Sequence, residues 1–446
     1  MSLTRNNNNN NNTLLGAPLL AGQELDSALD ARCLDLSRAI DRLSVIDSHD
    51  ALILLRSCFC APKIQHILRC TPCHEHPSLD TFDDLLRSGL CKIINADLSD
   101  TQWLQAGLPV KDGGLGIRSV ARLAISAYLA SADSTLQLQE EILSSTTAPQ
   151  DLNVEQLSSI WSTSFAIPPP LPPASFKQSA WDSPRIQADK AELWSSFGDK
   201  LNVARLTAVS APHSGDWLNA MPISACGLRL DNETVRVAVG LRLGVDLCVP
   251  HDCPCGALVD ARGIHSLSCR RSFGRMARHH QVNDLVWRSL CKANIPAVKE
   301  PSGLSRDDGK RPDGITLIPW QAGKSVAWDV TVVNTLANSY VDVSTSPDGA
   351  AEQAAERKAL KYSSLQSTFS FQPLAFESLG PMNASAIDFI SELGRQLTSV
   401  SGDTRVKAPT SSSGCLYPFS AITASRSQAV FFAQTTRTSC HSRLCF

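Results

Sequence analysis

Apolar residues recur three and four positions apart through much of the first third of the chain. The pattern is clearest in "ELDSALDARCLDLSRAIDRL", which starts at Glu24, and in "LDTFDDLLRSGLCKIINADL", which starts at Leu79. This spacing places the apolar side chains on one face of an α-helix. Residues 14–143 are therefore predicted to form a helical domain.

The triplet Phe82-Asp83-Asp84 falls within this periodic pattern. A polymerase metal site requires an aromatic residue, any residue and then two aspartates on a hairpin, whereas here both aspartates follow the aromatic residue directly. The triplet is therefore interpreted as part of an amphipathic helix.

The second half of the chain carries a mixed pattern. A helical segment, "GRMARHHQVNDLVWRSLCKA", is followed by three strand segments, "IPAVKE", "DGITLIPW" and "KSVAWDVTVV". Next come a helix in "SPDGAAEQAAERKALKYSSLQ", with Ser346 as its cap and Pro347 at its first position, a strand in "FSFQPLAFES" and a helix in "NASAIDFISELGRQL". The order helix, strand, strand, strand, helix, strand predicts an α/β restriction-endonuclease-like fold for residues 273–400.

The remaining stretches are assigned by composition. The Asn-rich start, residues 1–13, is predicted to be disordered, and the Ser/Thr/Pro-rich stretch 144–184, which contains "PPPLPP", to be an extended linker. Residues 185–247 are interpreted as a connecting module, and residues 401–446 as a degenerate or disordered tail. The whole chain is predicted to be an α+β multidomain protein.

Composition narrows the class of protein. The 446 residues include 41 Lys and Arg against 43 Asp and Glu, so net charge does not predict a nucleic-acid or membrane partner. Between Arg262 and Arg311, however, eleven Lys or Arg stand against four Asp or Glu.

The absence of a signal peptide and of an apolar run of about 18 residues predicts an intracellular protein without a transmembrane segment. Its 15 cysteines are then expected to be free thiols or metal ligands.

A cluster of potential zinc ligands lies in "CVPHDCPCGALVDARGIHSLSC", which contains Cys248, Cys253, Cys255, His265 and Cys269. Structural zinc takes four thiolate or imidazole ligands, usually as two close pairs separated by a loop. His265 and Cys269 suit one turn of helix and form one arm. The other arm is Cys253 with Cys255, or Cys248 replaces one of them. Residues 248–272 are therefore predicted to form a zinc knuckle; the alternative is a set of unrelated thiols.

Two aspartates interrupt the strand pattern of the last domain. Asp313 opens the second strand, and Asp329 lies in the apolar third strand, where alternation sets it on the face opposite Trp328 and Val330. A buried carboxylate is costly without a partner, and two carboxylates that converge across a hairpin can hold Mg²⁺ or Mn²⁺. The alternatives are a turn aspartate in "RPDG" and a buried, hydrogen-bonded structural carboxylate.

Three further residues are candidates for the same site. Glu300, which closes the first strand, is a candidate third ligand. Sites of the PD-(D/E)xK type place a lysine two residues after the second carboxylate, but this position is Thr331. Lys358 or Lys361, on the helix that follows, is therefore the candidate to replace it.

Four stretches taken in order resemble one known family. "HDALILLRSCFCAPK", "LPVKDGGLGIRS", "CPCGALVDARGIHSLSC" and "KRPDG" with its downstream "WDVTV" are similar to the carboxy-terminal part of polyproteins from non-long-terminal-repeat retrotransposons that carry a restriction-like endonuclease. The similarity runs from Leu14 to about Asp403. It implies a thumb-like N-terminal helical domain, a knuckle that binds structural Zn²⁺, and an endonuclease whose two aspartates bind catalytic Mg²⁺ or Mn²⁺.

The resemblance also implies partners. DNA is the expected substrate, the element's RNA is a second candidate partner, and a nuclear location is expected for a functional protein. The basic residues expected to contact phosphates are Arg270, Arg271, Arg275, Arg278 and Arg311. A reverse transcriptase palm is absent, so no polymerase activity is expected, and the sequence does not specify an oligomeric state. Two alternatives stay open: a nucleic-acid-binding remnant that does not cut, and a truncated product without a selected function.

Overall fold

The computed structural model describes residues 13–18, 21–143, 151–224, 228–271, 273–304, 309–345 and 349–401. The predicted disorder of residues 1–12, the predicted cap at residues 346–347 and the tail from residue 402 lie outside this part of the chain. The helices are α1 Gln23–Leu43, α2 Ser48–Leu54, α3 Ala61–Cys70, α4 Pro77–Ile94, α5 Asp100–Gly107, α6 Val120–Leu143, α7 Leu152–Phe165, α8 Gln178–Ser195, α9 Lys200–Val209, α10 Asn232–Leu243, α11 Ile264–Ser268, α12 Phe273–Lys292, α13 Gly349–Lys361 and α14 Ala384–Ser401. The strands are β1 Thr13–Leu14, β2 Ala17–Pro18, β3 His251–Asp252, β4 Leu258–Val259, β5 Ala297–Lys299, β6 Gly314–Thr316, β7 Val326–Val333 and β8 Ser370–Glu377.

Helices α1 to α6 pack around a shared apolar core. Along α1, Leu25, Leu29, Leu36 and Ile40 are buried, which is the three-and-four spacing seen in the sequence. Helix α10 packs against the same core, where Val239 is fully buried. The helical character predicted for residues 14–143 is confirmed, and the core continues into residues that come much later in the chain.

The triplet at Phe82 lies on α4, as the amphipathic pattern predicts. Phe82 is buried in the core, whereas Asp83 accepts hydrogen bonds from Ser119 Oγ at 2.5 Å, Val120 N at 2.8 Å and Ala121 N at 3.3 Å. Burial raises the pKa of Asp83 to about 6, although these three hydrogen bonds lower it. Asp83 is therefore a capping residue for the start of α6.

One stretch of the described chain, Ser48–Cys70, is long and apolar enough to cross a membrane by length and composition. It consists of α2, a π-helical turn at Leu55–Phe59 and α3, and the backbone leaves the helical conformation at Cys60. Several of its apolar residues, among them Leu55, Ile64 and Leu68, are buried in the core of the helical bundle. The burial agrees with the prediction that the chain has no transmembrane segment.

The stretch predicted as an extended linker is helical over much of its described length. Helices α7 and α8 pack against α6, and the rings of Trp161 and Trp181 meet edge to face with centroids 5.1 Å apart. Both indoles are buried and donate to backbone carbonyls, those of Trp181 and Ser175 respectively. Burial of two tryptophans stabilises the packing of α7 and α8 against α6, so the extended conformation predicted for this stretch is wrong where these two helices form.

Two buried arginines join the helical bundle to α9 and α10. Arg242 Nε donates to Gly114 O at 3.0 Å, and Arg205 Nη1 donates to Gln105 Oε1 at 2.8 Å. Burial lowers the pKa of each arginine to about 9. A Cβ at Gly114 would lie 2.0 Å from Leu108 O, so only glycine fits there. The segment "LPVKDGGLGIRS" is thus a packing element between the bundle and the residues that follow it.

The last third of the chain forms a four-stranded sheet in the order β5-β6-β7-β8. Strands β5, β6 and β7 are antiparallel, and β8 runs parallel to β7. Helices α12 and α14 cover one face, where Val326, Trp328 and Val330 are buried, and α13 covers the other through Ala351 and Ala354. The predicted order of helices and strands is confirmed, and so is the α+β class.

Candidate metal centre and acidic site

The predicted zinc ligands come together at the hairpin of β3 and β4. The Sγ atoms of Cys253, Cys255 and Cys269 and a ring nitrogen of His265 all lie within 4.8 Å of one another. Cys253 Sγ is 3.6 Å from Cys269 Sγ, and Cys255 Sγ is 3.1 Å from His265 Nε2. Among the described residues, these four side chains form the group of at least three potential ligands whose donor atoms come together.

The donor set fits zinc. Three thiols and one imidazole match the tetrahedral sites of structural zinc, in which Zn–S bonds of about 2.3 Å separate neighbouring sulfurs by about 3.8 Å. The Ala257 backbone N–H lowers the pKa of Cys255 to about 6, while burial raises the pKa of Cys253 to about 11. The tight turn at Gly256, with φ of +88°, brings the two cysteines to one side of the loop although only one residue separates them.

Cys248 does not belong to the cluster. Its Sγ donates to the carbonyls of Asp260 at 3.3 Å and Ala261 at 3.5 Å. The ligand spacing did not decide which two cysteines form the second pair of zinc ligands. In the structure this pair is Cys253 and Cys255.

The second candidate site lies where β6 and β7 pair. Gly314 is paired with Trp328, and Asp313, which precedes Gly314, accepts a hydrogen bond from the backbone N–H of Val330, the residue after Asp329. Gly314 is required because a Cβ there would lie 2.0 Å from Trp328 Cζ2. Trp328 and Val330 face α12 and α14, and Asp329 faces α13, so the predicted alternation is confirmed.

Asp329 is a buried carboxylate, only 3% exposed. Its Oδ2 forms an ion pair with Nζ of Lys358, which extends from α13. Burial and the nearby charge of Asp313 raise the pKa of Asp329, and the positive charge of Lys358 opposes that rise. Of the two candidate lysines, Lys358 is the one in contact with the acidic pair.

Asp313 is held by groups that the sequence pattern did not single out. Its Oδ2 accepts hydrogen bonds from His279 Nε2 at 3.0 Å and from Val330 N at 2.6 Å. The hydrogen bond to Asp313 is the main cause that raises the pKa of His279. His279 was missed because it lies on α12, 34 residues before Asp313, and a polar residue on an amphipathic helix gives no signal of its own.

The remaining candidates lie around this pair without joining it. Glu300 is mostly exposed and forms an ion pair with Arg311, so it does not form a three-ligand group with the two aspartates. Lys361 Nζ donates to Tyr362 Oη at 2.9 Å, and Tyr362 Oη donates to Arg311 O at 2.8 Å. Tyr362 is fully buried and fixes the segment that leads into Asp313.

The basic residues predicted to contact phosphates divide into two groups. Arg270, Arg271, Arg275 and Arg311 are exposed; Arg271 Nη1 donates to Pro254 O at 2.5 Å, and Arg311 forms an ion pair with Glu300. Arg278 is only 3% exposed and donates to Leu267 O, which fixes the knuckle against α12. Arg278 therefore cannot contact a phosphate from this position, and its assignment as a nucleic-acid contact is corrected to a packing role.

Comparison with known proteins gives no family assignment. No protein-family model and no curated protein matches this chain. The case for function therefore depends on the two clusters themselves.

Proposed function

We propose that this protein is a retrotransposon-derived, metal-dependent DNA endonuclease that nicks a target strand. The observation that carries the proposal is the approach of Asp313 to Asp329: Asp313 accepts a hydrogen bond from Val330 N, next to Asp329, and Lys358 lies against the buried Asp329 carboxylate. Further support comes from the order of helices and strands, which is the order that the sequence predicted for a restriction-endonuclease-like fold.

The two carboxylates suit a hard cation. Mg²⁺ prefers oxygen ligands and commonly takes only one or two carboxylates with several waters, so a third protein carboxylate is not required. When bound, the ion supplies an activated water and neutralises charge at a phosphodiester. Oδ2 of Asp329 is buried, and its charged partner is the Lys358 ammonium.

Lys358 supplies a cation at the acidic pair. Its Nζ lies against Asp329, so the cation stands beside the carboxylate pair even though Thr331 occupies the usual lysine position. We assign to Lys358 the role of holding the attacking water or stabilising negative charge on the phosphate. The knuckle, with structural Zn²⁺, and the exposed Arg270, Arg271 and Arg275 would bind the DNA backbone.

The alternative is a nucleic-acid-binding remnant that does not cut. The observation that favours it is the ion pair itself, because Lys358 already neutralises Asp329. In that case the knuckle and the exposed arginines hold DNA or the element's RNA, and the acidic pair only stabilises the sheet.

A nicking assay on supercoiled plasmid with Mg²⁺ or Mn²⁺ separates the two functions. Asp313→Asn and Asp329→Asn should each lower nicking by more than about 100-fold, because each removes a ligand and not an outer partner. Asp342→Asn is the matched control, since Asp342 is exposed and pairs with Lys200 away from the site. Wild-type protein that binds the plasmid without metal-dependent nicking would establish the binding remnant.

A further inference from the structure

A residue outside the predicted site touches Asp313 directly. His279 Nε2 donates to Oδ2 of Asp313, and Val330 N donates to the same oxygen. Of the described residues, none donates to Oδ1. The two donors therefore fix the carboxylate through one oxygen and leave the other for a ligand.

The helix that carries His279 is anchored to the same segment at a second point. Asn283, one turn further along α12, donates from Nδ2 to the carbonyl of Asp313 at 3.4 Å and accepts at Oδ1 from Trp328 Nε1 at 2.8 Å. Buried Val282 and Val286 pack α12 against the sheet. Because His279 and Asn283 lie four residues apart, they share one face of the helix.

We propose that His279 is a positioning residue, which orients the Asp313 carboxylate so that its Oδ1 can bind the divalent cation. This inference rests on the proposed function and adds to it a residue that acts through Asp313. Outer partners that orient a metal ligand commonly change metal affinity or activity by about 10-fold to 100-fold. A residue that only held α12 to the sheet would change thermal stability and leave metal affinity unchanged.

The test measures Mn²⁺ binding by electron paramagnetic resonance on zinc-loaded, full-length protein, alongside melting curves with and without Mn²⁺. His279→Ala should weaken Mn²⁺ binding by about 10-fold or more and reduce the rise in Tm that Mn²⁺ produces. His279→Gln keeps an N–H donor at similar reach and should restore most of the affinity. His280→Ala is the control, because His280 is the exposed neighbour on the same helix.

A shorter variant covers the case in which His279→Ala does not fold. His279→Asn carries the same amide as His279→Gln without its reach, so Mn²⁺ should bind more weakly to the Asn variant than to the Gln variant. Equal affinity in these two variants and wild type would overturn the positioning role.

Asp313→Asn separates this inference from the proposed function. If Asp313→Asn loses Mn²⁺ binding and the His279 variants keep it, only the role of His279 is overturned. If Asp313→Asn binds Mn²⁺ like wild type, the metal site is overturned, and the inference about His279 is overturned with it.

Discussion

The knuckle and the acidic pair are two candidate metal sites built in opposite ways. The four knuckle ligands come from 17 consecutive residues and converge on one another. The acidic site draws on α12, β6, β7 and α13, and protein cations or N–H donors already occupy one oxygen of each aspartate. Soft ligands in a local loop therefore contact one another and nearby backbone, whereas carboxylates in a sheet need balancing charge even before a metal binds.

The largest expected effect is loss of zinc from the knuckle. Structural zinc contributes about 10–16 kcal/mol of apparent binding free energy in small zinc modules. Cys269→Ser should therefore abolish stoichiometric zinc and unfold the knuckle, as measured by metal analysis and by circular dichroism during chelation. Cys248→Ser should retain about one zinc per chain, because its thiol bonds two carbonyls and not the cluster. Equal zinc loss in both variants would contradict the ligand assignment.

Asp83 differs from the aspartates of the acidic site, because its carboxylate is buried and accepts hydrogen bonds from Ser119, Val120 and Ala121. Burial raises its pKa to about 6, from an ordinary value of 3.8. Its stabilising contribution is then full below the unfolded-state pKa and is lost as pH rises through about 6, by up to about 3 kcal/mol. Asp83→Asn should flatten the fall in unfolding free energy between about pH 4 and about pH 7. Denaturant titrations at several pH values measure it, and parallel pH profiles for variant and wild type would argue against the raised pKa.

The lysines test whether the charge beside Asp329 is functional. Lys358→Met removes the ammonium that contacts Asp329 and should lower nicking by about 100-fold. Lys361→Met should lower it by less than about 10-fold, since Lys361 Nζ bonds Tyr362 Oη. Single-turnover nicking at saturating Mg²⁺ compares the two. A larger loss for Lys361→Met would reassign the catalytic lysine.

The smallest expected effect distinguishes two neighbouring arginines. Arg278→Met leaves the Leu267 carbonyl without its buried donor and should cost about 1–3 kcal/mol of stability. Arg275→Ala should change stability by less than about 0.5 kcal/mol and lower the salt dependence of DNA binding by about one slope unit. Thermal melts and salt titrations of binding check both. If Arg278→Met changes only the salt dependence of DNA binding and not stability, Arg278 contacts phosphate and the packing role is wrong.

The sequence predicted most where the determining interactions are local. Helix α1 follows from the spacing of Leu25, Leu29 and Leu36, and the knuckle follows from the spacing of its cysteines and histidine, because neighbours along the chain need only one turn to meet. Asp329 was identified because a charge inside an apolar strand is itself a signal. The choice between Cys248 and its neighbours required the loop conformation at Gly256.

Contacts between segments that are distant along the chain could not be predicted from the sequence and are seen only in the folded structure. His279 reaches Asp313, and Lys358 rather than Lys361 reaches Asp329, because helix packing on the two faces of the sheet sets which side chains approach its strands. The same reason explains the errors at Arg278 and at the helical parts of the predicted extended stretch, which are α7 and the start of α8. Composition makes an arginine look exposed and a Ser/Thr/Pro-rich stretch look extended, but a buried carbonyl at Leu267 and a buried pair of tryptophans outweigh composition once the chain has folded.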